Sequence, residues 1–164
     1  MTSQPRSFFA FLRRETGSIL VETVVVLPVL TILSIGVLEF GNVLWQRHQL
    51  QTGVRDAARY WSRCPNFTTD AVCEQIAENI AFFGRPDGDR SLHDLRVPGW
   101  YQAPGGANDH LTIDPATRPA EPDLDDVFRV TGAVDYQGSP VIGALGLSGA
   151  IKIQYYFEGR YLEW

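Results

Sequence analysis

Glu22 is the side chain in this sequence whose surroundings most restrict what it can do. It is the sole charge between Ser18 and Leu38, a run otherwise made of apolar residues, two threonines and two serines. An ionised carboxylate in hydrocarbon costs about 2.5–3.5 kcal/mol on insertion scales, so such a residue either has a task there or reaches back to the headgroups. Gly17 stands five residues before it, at the junction of a basic leader and the apolar run. Cys64 and Cys73 are the only two cysteines; a disulfide, a shared zinc ion and free thiols are the chemistries open to them. Zinc requires more ligands, and His48, His93 and His110 are scattered rather than set at metal-ligand spacing.

No catalytic set is visible. There is no P-loop, no GxGxxG after a strand and no HExxH, and Gly146-Leu147-Ser148-Gly149-Ala150 fails the nucleophile-elbow pattern at its last position. His93 beside Asp94 is a pairing that chance supplies often. Asp87-Gly88-Asp89 and the acids Asp123, Asp125 and Asp126 lack the ligand spacing of a calcium loop and read as solvated turns. We therefore expect no enzyme, no metal and no cofactor.

The elements around these residues follow from periodicity. As a helix, 18–38 is roughly 30 Å long, enough to cross the hydrocarbon core of a bilayer. Arg6, Arg13 and Arg14 against Glu15 make its N-terminal flank basic, which keeps that flank cytoplasmic. Pro28 falls inside the run, where a bend is expected. Beyond it, Phe40, Val43, Leu44, Leu50, Val54, Ala57, Ala58 and Trp61 recur at three- and four-residue steps between arginines, so an amphipathic helix continues over 39–63 and ends before Pro65. A second helix is expected over 71–83, capped by Asp70, stopped by Gly84, and facing a core with Val72, Ile76, Ile80 and Phe83. Residues 85–122 are rich in Gly, Pro and Asp and read as long loops with one short strand at 111–113. Two stretches alternate with period two, Phe128 to Tyr136 and Ile151 to Phe157, and predict an antiparallel pair with one wet face. The uncharged segment between them reads as a short helical turn. The fold class is α+β: a long N-terminal transmembrane and amphipathic helix, then a small exported domain with a second helix and an antiparallel sheet.

A basic leader, Gly17, Ser18, three apolar residues, Glu22 and a long apolar run resemble the class III signal of type IV prepilins. Leu27-Pro28, Leu38-Glu39-Phe40-Gly41 and the stretch QTGVRDAARY from Gln51 to Tyr60 resemble the TadE-like family of pilin-like proteins from tight-adherence (Tad/Flp) pilus systems. The resemblance is dense over 13–63 and thins to scattered matches around 130–150. One residue departs from the pattern: the position after the glutamate is usually aromatic in this family and is Thr23 here. The resemblance implies cleavage by a prepilin peptidase between Gly17 and Ser18, and a subunit-assembly role for Glu22. It implies other pilin-like subunits and the pilus assembly platform as partners. It also implies a bacterial inner-membrane protein with its C-terminal domain in the periplasm or, within a pilus, outside the cell.

Length and charge bound the rest. The chain has 164 residues, 45% of them hydrophobic and 20% charged, which suits one modest exported domain on one anchor. We read 1–17 as a leader, 18–38 as the membrane span, 39–63 as its amphipathic extension and 64–164 as the exported domain. The net charge of −5 is divided unevenly: residues 1–63 hold seven arginines against four acids (+3), and 64–164 hold seven bases against fifteen acids (−8). An acidic exported domain excludes nucleic acid as a partner, since that needs a basic face. An oxidising periplasm favours a Cys64–Cys73 disulfide, worth about 2.5–3 kcal/mol for a loop of roughly ten residues in the chain-entropy model. The reading is a minor pilin or pseudopilin; the alternatives are an envelope ligand-binding protein on an unprocessed anchor and an exported enzyme.

Overall fold

The structure, a computed structural model, describes residues 15–65, 68–88, 94–101, 110–119, 123, 125–138, 142–143, 146 and 151–161. The leader before Glu15, Asp89, His93 and most of the segment between the last two strands lie outside the described residues. The elements in chain order are α1 (Glu15–Trp61), α2 (Asp70–Phe83), β1 (Leu111–Asp114), β2 (Val127–Asp135) and β3 (Lys152–Arg160). The α+β class and the antiparallel pairing of β2 with β3 are as expected, and the short strand β1 joins them as a third antiparallel strand. Two compact units make up the chain, Met1–Gly41 and Asn42–Trp164.

In the first unit α1 carries its apolar side chains outward on every side. From Ile19 at 65% exposed to Leu38 at 73%, the large ones are exposed, apart from half-buried Ile35. The assigned helix runs through Pro28 without interruption. Polar side chains within the run return their hydrogen bonds to the helix: the hydroxyls of Thr23, Thr31 and Ser34 donate to the carbonyls of Ile19, Leu27 and Leu30 at 2.8–2.9 Å. Such back-bonding leaves a hydroxyl without need of water.

The second unit is built on β2, the centre of a sheet ordered β1-β2-β3. The register pairs Leu111 with Gly132 and Asp114 with Arg129 on one side of β2, and Val127 with Arg160 and Asp135 with Lys152 on the other. Phe128, Val130, Gly132, Val134 and Tyr136 point to one covered face, so Gly132 fills the gap in the hydrophobic alternation. It is a glycine because α1 crosses there: a Cβ on Gly132 would stand 2.6 Å from Cγ2 of Val54 and 3.3 Å from Cδ1 of Leu50. The second half of α1 thus lies on the sheet, with Leu50, Val54, Ala57, Ala58 and Trp61 fully buried. The predicted stripe is right from Leu50 onward, whereas Phe40 and Leu44 are 65% and 47% exposed. The helix ends at Trp61, two residues before the expected Arg63.

Helix α2 differs from its expected form in two ways. Its N-cap is Thr69, in extended geometry, and not Asp70; the Asp70 carboxylate is taken by Arg118 instead. Its buried face is Cys73, Ala77, Ala81 and Phe82, while Val72 is 44% exposed and Ile76, Ile80 and Phe83 are half-buried. The physical reason is close approach. A Cβ on Gly53 of α1 would lie 2.6 Å from the carbonyl oxygen of Ala81, so this helix pair meets through small residues, and bulkier ones are turned to the flanks. Gly84 ends α2 in the left-handed region at φ 77°, its N–H donating to the Ile80 carbonyl as expected.

Candidate functional site

Gly17 and Ser18 lie in the first turn of α1, and Glu22 follows one turn later on the exposed surface of the same helix. Helical spacing alone brings these three together; no second element takes part. Glu22 lines a shallow depression on the helix surface together with Ile19, Thr23, Val26, Leu27 and Leu30. Thr23 cannot serve Glu22 as a donor while its hydroxyl is committed to Ile19. Glu22 has no hydrogen bond or ion pair among the described residues. In a low-dielectric setting that geometry asks for a cation from outside the helix, because the carboxylate is acceptor-only when ionised.

Cys64 and Cys73 are joined by a disulfide with a Cα–Cα distance of 6.1 Å, linking the segment after α1 to the first turn of α2. Arg118, which no sequence pattern singles out, closes the same region. Its side chain is 9% exposed and pairs with Asp70 at 2.7 Å. It also donates to the carbonyls of Cys64 and Thr68, and its guanidinium lies 5.8 Å from the Trp61 ring centre. One arginine from the loop after β1 therefore holds the end of α1, the disulfide loop and the start of α2. At the other end of the unit Asn42 donates to the Tyr136 hydroxyl at 3.1 Å, and buried Gln46 donates to the Gln137 carbonyl at 3.0 Å. Neither residue is singled out by the sequence patterns. Arg96 closes the third corner, with its salt bridge to Asp56 at 2.8 Å and its N–H donating to the Phe82 carbonyl. Glu78 on α2 titrates at about 7 instead of 4.5, raised by burial first and by the neighbouring Glu74 second.

Among the described residues no group of three or more His, Cys, Asp or Glu could hold a metal ion. The chain combines an apolar helix long enough to cross a membrane with an α+β unit that follows it in sequence. The family model described as TadE-like protein matches residues 17–59, so over that stretch the chain is TadE-like, as the motifs from Gly17 to Tyr60 indicate. No curated protein and no solved structure matches the chain.

Proposed function

We propose that this protein is a minor pilin or pseudopilin that takes part in assembling a tight-adherence type IV pilus, and that a prepilin peptidase cuts it between Gly17 and Ser18. The observation that carries the reading is the extent of the family match. It begins at Gly17, the residue before the proposed scissile bond, and runs through the apolar run into the part of α1 that packs on the sheet. Glycine suits the site physically. In a helix it is about 1 kcal/mol less favourable than alanine, so the first turn of α1 opens most easily there, and no Cβ hinders a peptidase.

After cleavage Ser18 carries a new ammonium group next to a bilayer. Glu22 of a neighbouring subunit is the natural partner, since each charge offsets the desolvation of the other and the match sets the axial register. The all-round exposure of 19–38 supports the same reading: once extracted from lipid, that surface needs a bundle of like helices to cover it. The test is N-terminal sequencing of the mature protein. We expect a start at Ser18, and we expect Gly17→Leu to leave the chain full-length on a gel. An intact leader in the wild-type protein, or normal shortening of the variant, would remove the peptidase from the mechanism.

A further inference from the structure

We propose that the outer edge of β3 pairs with the same edge of a second copy of this chain, antiparallel about a two-fold axis, with Lys152 of each copy opposite Glu158 of the other. The inference lies within the unit 42–164 and does not rest on the pilin reading.

The ladder fixes which backbone groups face outward. The Tyr136 N–H donates to the Ile151 carbonyl at 2.8 Å, and these two residues oppose each other one step beyond the β2–β3 register. Hydrogen bonds in an antiparallel ladder recur at every second pair. Ile153, Tyr155 and Phe157 therefore bond to β2, whereas Lys152, Gln154, Tyr156, Glu158 and Arg160 turn their backbone groups to the outer edge. Among the described residues nothing bonds to that edge. The other edge of the sheet is built differently. β1 has four residues and stops at Asp114 before Pro115, a short and charged edge of the kind that resists pairing. β3 runs for nine residues without a proline, in unbroken register with β2.

The covered face of the sheet also reaches this edge unfinished. Ile153 is buried, but Tyr155 and Phe157 on the same face are only half-buried. A further strand with apolar residues at alternate positions would complete the face, and β3 is itself such a strand.

Charge then selects one register. Outward-turned residues must oppose outward-turned ones, so the possible registers differ by steps of two residues. Full overlap sets Lys152 against Arg160 of the second copy at both ends. One step to one side opposes Lys152 to Glu158 twice and Ile153 to Phe157, with Tyr155 meeting its counterpart on the axis. One step to the other side opposes Gln154 to Arg160 and Tyr156 to Glu158, with no pair of opposite charges. The favoured register finds both groups available. Arg129 donates twice to Glu158, but both bonds go to Oε1 and leave Oε2. Lys152, the only lysine in the sequence, has no ion pair among the described residues.

The other charges at this edge are few. Asp135 opposes Lys152 on β2, Asp125 and Asp126 precede β2 near Arg160, and Arg160 meets uncharged Ala150 in this register. Arg55 donates to its own Tyr155 at 3.1 Å, so the two Arg55 side chains approach across the axis and weaken the pairing. Asn42 bonds to Tyr136, Gln46 to Gln137 and Arg55 to Tyr155, so from Asn42 onward α1 runs alongside β3 in the same sense. The two-fold sends the two copies of 42–61 in opposite directions, and the contact joins copies that approach from opposite sides.

The test uses the full-length protein in detergent micelles, treated with a carbodiimide and digested for mass spectrometry. This reagent joins an amine to a carboxylate without a spacer, and Lys152 supplies the only side-chain amine. Lys152 and Glu158 of one chain stand about 20 Å apart along an extended strand, so an amide between them can only bridge two copies. We expect that amide beside an own-chain link from Lys152 to Asp135. Gln154→Pro and Tyr156→Pro each remove an outward N–H and leave the β2–β3 ladder intact, as edge strands allow. Each should lower the Lys152–Glu158 amide several-fold while keeping the Lys152–Asp135 link and the melting temperature. Absence of the amide in the wild-type protein, or its full yield in a folded variant, would overturn the pairing.

Discussion

Helix α1 contains two apolar stretches that meet opposite fates. Between Ile19 and Leu38 the large apolar side chains are exposed, apart from half-buried Ile35, whereas Leu50, Val54, Ala57, Ala58 and Trp61 are completely buried. Hydrophobicity does not distinguish them, since the exposed stretch is the more apolar. The difference lies in distribution and size. The first stretch is apolar around the whole circumference and holds Leu, Val and Ile, which suits a uniform apolar solvent or a ring of like helices. The second confines its apolar residues to one face and mixes Gly53, Ala57 and Ala58 with Trp61, which lets a sheet and a second helix approach closely on that face alone. One helix thus serves two solvents, and the arginines at 47, 55, 59 and 63 mark where the apolar circumference ends.

The sharpest way to break this comparison is to disable the first stretch and leave the second intact. Glu22→Gln keeps size and shape, removes the charge and slightly eases insertion. We expect the variant to be made, inserted and cleaved, yet to abolish surface fibres by electron microscopy, with the globular unit as stable as before. Full piliation would mean that Glu22 only reaches for the headgroups.

The converse change is Trp61→Ala, which empties the end of the core beneath Arg118. It should destabilise the unit by about 3–5 kcal/mol in urea unfolding, against no measurable change in that unit for Val29→Ala in the exposed stretch. If the two substitutions cost the same, the division of α1 drawn here is wrong.

Removing the staple is the next step down. Cys64→Ser with Cys73→Ser should cost about 2.5–3 kcal/mol, and mass spectrometry of the wild-type protein under non-reducing conditions should find the pair linked. Two free thiols there would leave Arg118 to hold this corner unaided.

The smallest effect concerns Glu78. Its value in the folded protein, about 7, lies above its ordinary 4.5, so the folded state binds the proton more tightly than the unfolded one. Stability should therefore fall as pH rises from about 4.5 to 7 and level off above, by on the order of 1 kcal/mol once solvent screening of a half-buried group is allowed for. Glu78→Gln should flatten that part of the profile, whereas Glu22→Gln should leave it unchanged.

Period and punctuation determined much of this molecule in advance. The apolar run, the helical steps from Leu50 to Trp61, the stop at Gly84 and the alternation of β2 and β3 are local patterns, and each element forms where its pattern lies. Glu22 was legible for the same reason, because one charge in a run of 21 otherwise uncharged residues stands out without any knowledge of the fold. The tertiary structure alone decided which face of α2 turns inward. Periodicity favours the large residues Val72, Ile76 and Ile80, but the face that turns inward is Cys73, Ala77, Ala81 and Phe82, with Gly53 close against the Ala81 carbonyl. It alone made Arg118 the tie between α1, the disulfide loop and α2, and it turned Gly132 from an interruption in a strand into the point where α1 crosses the sheet. Such contacts join residues tens of positions apart, and the steric limits that select them arise only once two backbones are brought within a few ångströms of each other.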